Sequence, residues 1–501
     1  MRKLHWFAML TVAFAATAGI LPNSSHAQTI ALAGASTKVC QLIGDTDWAT
    51  GQPTNAKTLT NWGLQGVDLG FPVETTYTVT LESTGQGPIV RPIPRTISPL
   101  YFLFGDGALP GPPLYPGHPA QSMAPFPPDD VLGNTSQTAV PNQTSCLNLQ
   151  LVSQSISPNN FQSPAVQPPI QQGSFNVPSG GAFVGGTFYA FFWTDHCSLP
   201  TPLAPNPASP LALPPPSVTC EEMLQSSSVG RSVLAQAAMA NPTSFTWTPP
   251  SGADPALARN MPSGFVYVSA AADAMTQPVT INISSSKVQG YPVFGVPRFR
   301  ASIPYLAIAP QTSFGDPTTW YFFNGTDNSG NPVWVTRSVW EGNPASPTAW
   351  VPPSASAEIY SAALPTTERC VGEHSVTYNQ ALGVWLLLYG CGAWTIEARA
   401  APNPWGPWSQ PIVLLSAVQD PANIVCTLIQ NDTTKGCPGL APGLLIATVP
   451  NPGHFYAPFV LNRYTQNLSS LPAHPKSATI YWLVSTWNPY TVVVMQSTLQ
   501  R

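Results

Sequence analysis

The chain has 501 residues, only 8% of them charged, with 22 acidic against 18 basic side chains and a net charge of −4. That balance supplies no basic stripe for a nucleic-acid backbone and no basic amphipathic stretch for a membrane surface. With 59 prolines and 37 glycines, long helices are few. Solubility must rest on Ser, Thr, Asn and Gln, which makes each carboxylate informative.

The N-terminal stretch has the order of a secretory signal: Met1-Arg2-Lys3, an apolar run from Leu4 to Leu21, then Pro22-Asn23-Ser24-Ser25-His26-Ala27-Gln28. Cleavage is expected after Ala27, leaving residues 28–501 as a single exported domain, secreted or periplasmic. No later stretch approaches the roughly 18 consecutive apolar residues of a membrane span. Eight cysteines, none spaced as Cys-x-x-Cys, read as a disulfide framework. Cys197 with Cys220, Cys370 with Cys391, and Cys426 with Cys437 are plausible local pairs, leaving Cys40 for Cys146.

Beyond the signal, short aromatic and β-branched runs alternate with Pro, Gly, Ser and Asn, the pattern of an all-β fold. One type of run recurs: Tyr101-Phe102-Leu103-Phe104-Gly105-Asp106, Phe188 to Asp195, Trp320 to Asp327, Val384 to Cys391, and Ile480 to Trp487. Each reads as a strand buried on both faces. Five of them predict five repeated sheets around an axis, a five-bladed β-propeller; a large sandwich or two all-β domains are the alternatives. The uneven spacing has a source in proline-rich surface loops at Leu109 to Asp129, Pro200 to Pro216 and Pro344 to Pro353. Glu221 to Asn241 is the best helix candidate.

No Gly-x-Ser-x-Gly elbow, P-loop, His-Glu-x-x-His or dinucleotide fingerprint is present, so the candidate chemistry falls to carboxylates and aromatics. Asp68, in Gly66-Val67-Asp68-Leu69-Gly70, stands between glycines that let the backbone turn and another molecule approach; a turn Asp capping its own backbone is the competing reading. Asp106, in Phe104-Gly105-Asp106-Gly107, has the same two readings. Asp45 and Asp47, in Gly44-Asp45-Thr46-Asp47-Trp48, could join them. Glu373, in Val371-Gly372-Glu373-His374-Ser375-Val376, would share a strand face with Val371, Ser375 and Thr377, with His374 on the other face; burial there would make it a usable proton donor. The competing reading is a surface Glu beside Arg369, and a lone His374 is more often structural. Two acids across a cleft are what glycoside hydrolysis needs, and flat rings for sugar stacking are available in Trp48, Trp62, Trp193, Trp394, Trp487 and Tyr490.

These motifs, with Phe455-Tyr456-Ala457-Pro458-Phe459 and Ser485-Thr486-Trp487-Asn488-Pro489-Tyr490 near the end, follow in the order seen in a bacterial family. The chain resembles, from about Val39 to Leu499, the exported five-bladed propellers catalogued as a domain of unknown function, some of which are endo-D-arabinanases. The resemblance implies a site at one end of the axis, with Asp68 as base or nucleophile, Glu373 as general acid, and Asp106 orienting or tuning a neighbour. By the same resemblance Trp487 and Tyr490 would border the groove; Asp47, Trp48, Trp62 and His374 are further substrate-binding candidates from the residues themselves. In this chain Asp106 is followed by Gly107-Ala108-Leu109-Pro110, where the family commonly continues with Thr. The expectation is a monomeric glycoside hydrolase on an arabinan-like polysaccharide, with no cofactor and an axial calcium left open. The alternatives are a non-catalytic carbohydrate-binding or surface-interaction propeller and, less favoured, a lyase or esterase.

Overall fold

The computed structural model describes residues 28–81, 93–108, 131–152, 165–166, 176–194, 231–239, 244–247, 261–342, 352–360, 369–392, 394–420, 424, 427–429, 453–469, 476–487 and 489–501. The strands form five sheets of four to six strands, antiparallel except where Ala165–Val166 pairs parallel to Ser244–Trp247, and one small hairpin, Tyr77–Leu81 with Ile93–Ile97. This is the five-bladed propeller arrangement expected.

Blade 1 runs outward from the axis as Gly66–Glu74, Leu100–Ala108, Val131–Thr135 and Gln150–Val152. Blade 2 is Asn176–Val184, Thr187–Thr194, Arg231–Ala238 and Ser244–Trp247, edged by Ala165–Val166. Blade 3 is Tyr267–Ala270, Ser286–Val296, Tyr305–Pro310, Tyr321–Thr326 and Pro332–Thr336, with Val279–Ile283 also paired to the second strand. Blade 4 is Val371–Asn379, Val384–Cys391, Thr395–Ala401 and Ile412–Ser416. In blade 5, His454–Val460, Ser477–Trp487 and Thr491–Gln500 are completed on the outside by the N-terminal strands Ala31–Leu32 and Thr37–Gln41. The inner strands touch in a closed circuit, blade 1 against 2, 3, 4, 5 and back to 1.

Blade 5 is therefore built from both ends of the described chain, and its hydrogen bonds close the ring. The Cys40–Cys146 disulfide reinforces that closure, because Cys40 lies on the N-terminal strand and Cys146 on the segment leading to the outer strand of blade 1. The second observed disulfide, Cys370–Cys391, joins the first two strands of blade 4. Both pairings match the sequence expectation, and they are consistent with an oxidising compartment. Cys197, Cys220, Cys426 and Cys437 lie outside the described residues, as do residues 1–27 and most of the three proline-rich stretches. Among the described residues no helix is long and apolar enough to cross a membrane.

Each recurring apolar run falls in a different blade, and in all but blade 3, where Tyr321–Thr326 is partly exposed, its two faces are largely buried between neighbouring blades. In four blades the run is the second strand from the axis. In blade 3 the run at Tyr321–Thr326 is the fourth, and the second is Ser286–Val296. That strand escaped notice because Gly290 and Pro292 interrupt it and its first half is solvent-facing. The predicted helix is also corrected: its first part lies outside the described residues, and Arg231–Ala238 is a strand paired antiparallel to Thr187–Thr194. Its alanines favour a helix locally, but Val233, Ala235 and Ala237 pack into one hydrophobic cluster and Leu234 into another. Burial on two opposite faces is what a strand between two sheets provides, so tertiary packing decides.

Candidate active site

Successive inner strands all start from the same end of the axis, so their first residues gather at one mouth. There the ladders are irregular. Register shifts fall around Leu69 in blade 1, between Pro178 and Gly180 in blade 2, between Val371 and His374 in blade 4, and between Tyr456 and Phe459 in blade 5. A bulge leaves a residue outside the ladder and re-aims its side chain. Asp68 and Glu373 both lie in such bulges, the first forced by left-handed φ angles of 61° at Leu69 and 90° at Gly70.

Hydroxyls from adjoining blades hold these bulges. The Leu69 amide donates to Ser485 Oγ at 2.7 Å across the blade 5–blade 1 boundary. Ser375 Oγ donates to the Pro458 carbonyl at 3.0 Å and accepts from Val460 N at 3.2 Å between blades 4 and 5. Ser179 Oγ accepts from Val268 N at 3.2 Å between blades 2 and 3.

The Asp68 carboxylate accepts a hydrogen bond from Tyr456 Oη at 2.8 Å on Oδ2. Glu373, only 4% exposed, accepts from Arg300 Nη2 at 3.0 Å on Oε1, while its Oε2 is buried without a hydrogen-bond partner among the described residues. The surface reading beside Arg369 does not hold, since Arg369 pairs with Glu358. Gly372 leaves the space Arg300 occupies: a Cβ there would come within 2.7 Å of Arg300 Cγ. The guanidinium also lies 4.8 Å from the Phe299 ring centroid and 5.8 Å from that of Tyr456, which links the surroundings of the two acids. Burial opposes the Arg300 charge, but the Glu373 carboxylate outweighs it and the guanidinium is held more firmly protonated than usual.

Tyr267, the first residue of the blade 3 inner strand, stands behind these acids. Its ring packs against Trp193 at 6.1 Å, Phe299 at 5.5 Å and His374 at 5.9 Å. Burial, reinforced by the charges of Glu373 and Asp68, pushes its phenol well above the usual range. His374 is fully buried with Nδ1 3.0 Å from the Gly372 carbonyl, and burial lowers it to about 4, so it is neutral near pH 7. The expected alternation of faces fails here because the bulge buries Glu373 and His374 alike. In blade 5, His454 stacks on Trp487 at 6.0 Å and is lowered to about 4 by burial and by Arg300. Trp487 meets Tyr490 edge-on at 5.5 Å, and Tyr490 packs on Gly66, where a Cβ would lie 3.1 Å from its ring.

The mouth thus gathers Asp68, Glu373 and His374, with Trp487 and Tyr490 on the blade 5 side. Other sequence candidates have different commitments. Asp47 forms an ion pair with Lys38 at 2.7 Å and accepts from Ala49 N, and Asp45 accepts from Leu59 N at the start of the Thr58–Trp62 helix. Trp48 is a buried residue whose amide donates to Gln41, and Trp62 packs at the edge of the main hydrophobic cluster. Asp106 has its backbone in the second strand of blade 1, and its side chain lies outside the described residues. Arg300, Tyr267 and His454 were missed. The one sequence signal for Arg300 is Arg298-Phe299-Arg300, a doubled positive charge in a chain with few.

Fold and site together define a five-bladed propeller with a carboxylate-bearing mouth. Residues 282–496 match the profile of DUF4185, a domain of unknown function. No curated protein matches the chain. Among solved structures, a Bacteroides ovatus protein provisionally assigned as a hydrolase is similar at 10% identity and TM-score 0.40, over 88% of each chain. RS223 β-xylosidase is similar at 9% identity and TM-score 0.32, over 86% of this chain and 94% of that one. A GH43_1 enzyme of Xanthomonas citri is similar at 10% identity and TM-score 0.30, over 86% and 87%.

Proposed function

We propose that the protein is an exported glycoside hydrolase acting on a furanose-containing, arabinan-like polysaccharide, with residues 28–501 as its working domain. The observation that carries this reading is that Asp68 and Glu373, at register shifts in the inner strands of blades 1 and 4, are joined through one chain of contacts: Arg300 pairs with Glu373 and lies 5.8 Å from the ring centroid of Tyr456, whose hydroxyl donates to Asp68. Paired carboxylates across a cleft are the parts glycoside hydrolysis uses, one donating a proton to the leaving oxygen and the other serving the anomeric carbon or an attacking water. Arg300 fixes Glu373 through Oε1 and leaves Oε2 for the donor role. Asp68, oriented by Tyr456, takes the base or nucleophile role. Trp487, stacked on His454 and partly exposed, is suited to pack against a sugar face.

One observation favours a second reading, a non-catalytic glycan-binding propeller: the Glu373 carboxylate is engaged by a guanidinium, as a structural acid would be. The two readings part on turnover. Wild-type protein incubated with arabinan and arabinogalactan should release reducing ends, and Asp68→Asn and Glu373→Gln should each lower the rate by orders of magnitude while the protein remains folded. Binding of these glycans with no release of reducing ends would leave the binding reading in possession.

A further inference from the structure

We infer that Tyr267 is a third polar residue of the site, whose hydroxyl donates a hydrogen bond to an oxygen of the bound sugar between Asp68 and Glu373. This deepens the glycoside-hydrolase reading and rests on it. Tyr267 opens the inner strand of blade 3, at the same level as the two bulges, and is 1% exposed. Its hydroxyl is buried with no hydrogen-bond partner among the described residues. A buried orphan hydroxyl is destabilising, and a phenylalanine would fill the same slot against Trp193, Phe299 and His374 without that cost. A hydroxyl retained there is explained by a partner that arrives with the substrate.

Two further orphan groups support the assignment. Glu373 Oε2 and Arg300 Nε are also buried without partners among the described residues, so a carboxyl oxygen, which donates when protonated and accepts when ionised, lies at the mouth together with an N–H and an O–H donor. A sugar carries hydroxyls that both donate and accept, and it can satisfy such a set where an apolar ligand cannot. The phenol suits the donor role because burial and the two neighbouring carboxylates keep it protonated.

The test is Tyr267→Phe, which deletes one oxygen and keeps the ring. With wild-type, Asp68→Asn and Tyr267→Phe proteins assayed side by side on arabinan, Tyr267→Phe should lower kcat/KM about ten- to a hundredfold. Its melting temperature should be equal to or above that of wild type. Activity within twofold of wild type would overturn the inference, and so would a loss of activity matched by a fall in melting temperature, which marks a structural role. If wild type binds arabinan but does not cleave it, the hydrolase reading fails separately. Glycan affinity then decides for Tyr267: weakening by Tyr267→Phe of fivefold or more supports the contact, and unchanged affinity removes it. A wild-type protein that neither cleaves nor binds would sink both.

Discussion

The Asp68 carboxylate occupies the place where residue 105 would carry a side chain: a Cβ built on Gly105 would overlap Asp68 Oδ1 and come within 3.0 Å of Leu69 Cδ1. Gly105 has no left-handed φ, so alanine is allowed by its backbone and the obstruction is purely spatial. Gly105→Ala should therefore displace the Asp68 carboxylate and reduce kcat/KM on the order of a hundredfold. Steady-state kinetics and a melting curve check this; full activity in the variant would show that the carboxylate position is not critical.

Removing Arg300 should cost stability through Glu373. Arg300→Met leaves a carboxylate that is 4% exposed without its counter-charge, a loss on the order of 3–5 kcal/mol. Adding Glu373→Gln should recover much of it, since a neutral amide does not need the guanidinium. Denaturant unfolding of the two single variants and the double variant measures the coupling; additive losses would mean that the ion pair contributes little.

The part of the stability that rests on His374 should fall in mild acid. His374 is lowered from 6.5 to about 4 by burial, so between these values the unfolded chain takes up a proton that the native protein refuses. Its contribution is present in full above about pH 6.5 and is lost as pH falls toward 4, a change of about 3 kcal/mol. His454 shifts in the same direction and adds to the slope. Glu74, raised to about 7 by burial, acts in the opposite sense over the same range, so the His374 contribution is read as the difference between wild type and His374→Gln in urea unfolding from pH 7 to pH 4; a difference that does not change with pH would place the proton uptake elsewhere.

Breaking Cys40–Cys146 should loosen the ring where it closes. The bridge spans 106 residues and ties the closing strand of blade 5 to blade 1, so its removal by Cys40→Ala with Cys146→Ala should cost about 2–5 kcal/mol. Amide exchange should rise first in Thr37–Gln41 and its partner strand Thr491–Gln500. Uniform exchange across all blades would instead indicate that the ring opens only as a whole.

The architecture was legible because propeller strands are buried on both faces, and such strands announce themselves as unbroken apolar runs. It was least legible where Gly290 and Pro292 broke a run and where the alanines of Arg231–Ala238 resembled a helix. At the mouth, Asp68, Glu373 and their flanking glycines were conspicuous because acids are scarce in this chain. Arg300 and Tyr267 belong to blade 3 and His454 to blade 5. Their places beside those acids come from the closing of the circuit, which no local pattern encodes. Asp47 and Trp48 illustrate the converse, since an acid beside a tryptophan looks functional in one dimension and is tied to Lys38 and Gln41 in three.

The bulges also bear on how such a protein can change. Asp68 and Glu373 fall at register shifts, so the side chains at the mouth are set by residues that the sheet does not need for its own ladder. Replacing them would change the groups presented at the mouth while leaving the ladder hydrogen bonds intact. A scaffold of this kind keeps inheritance of shape apart from inheritance of chemistry: the ring can persist through drift while the few residues displaced from it are exchanged for a new specificity.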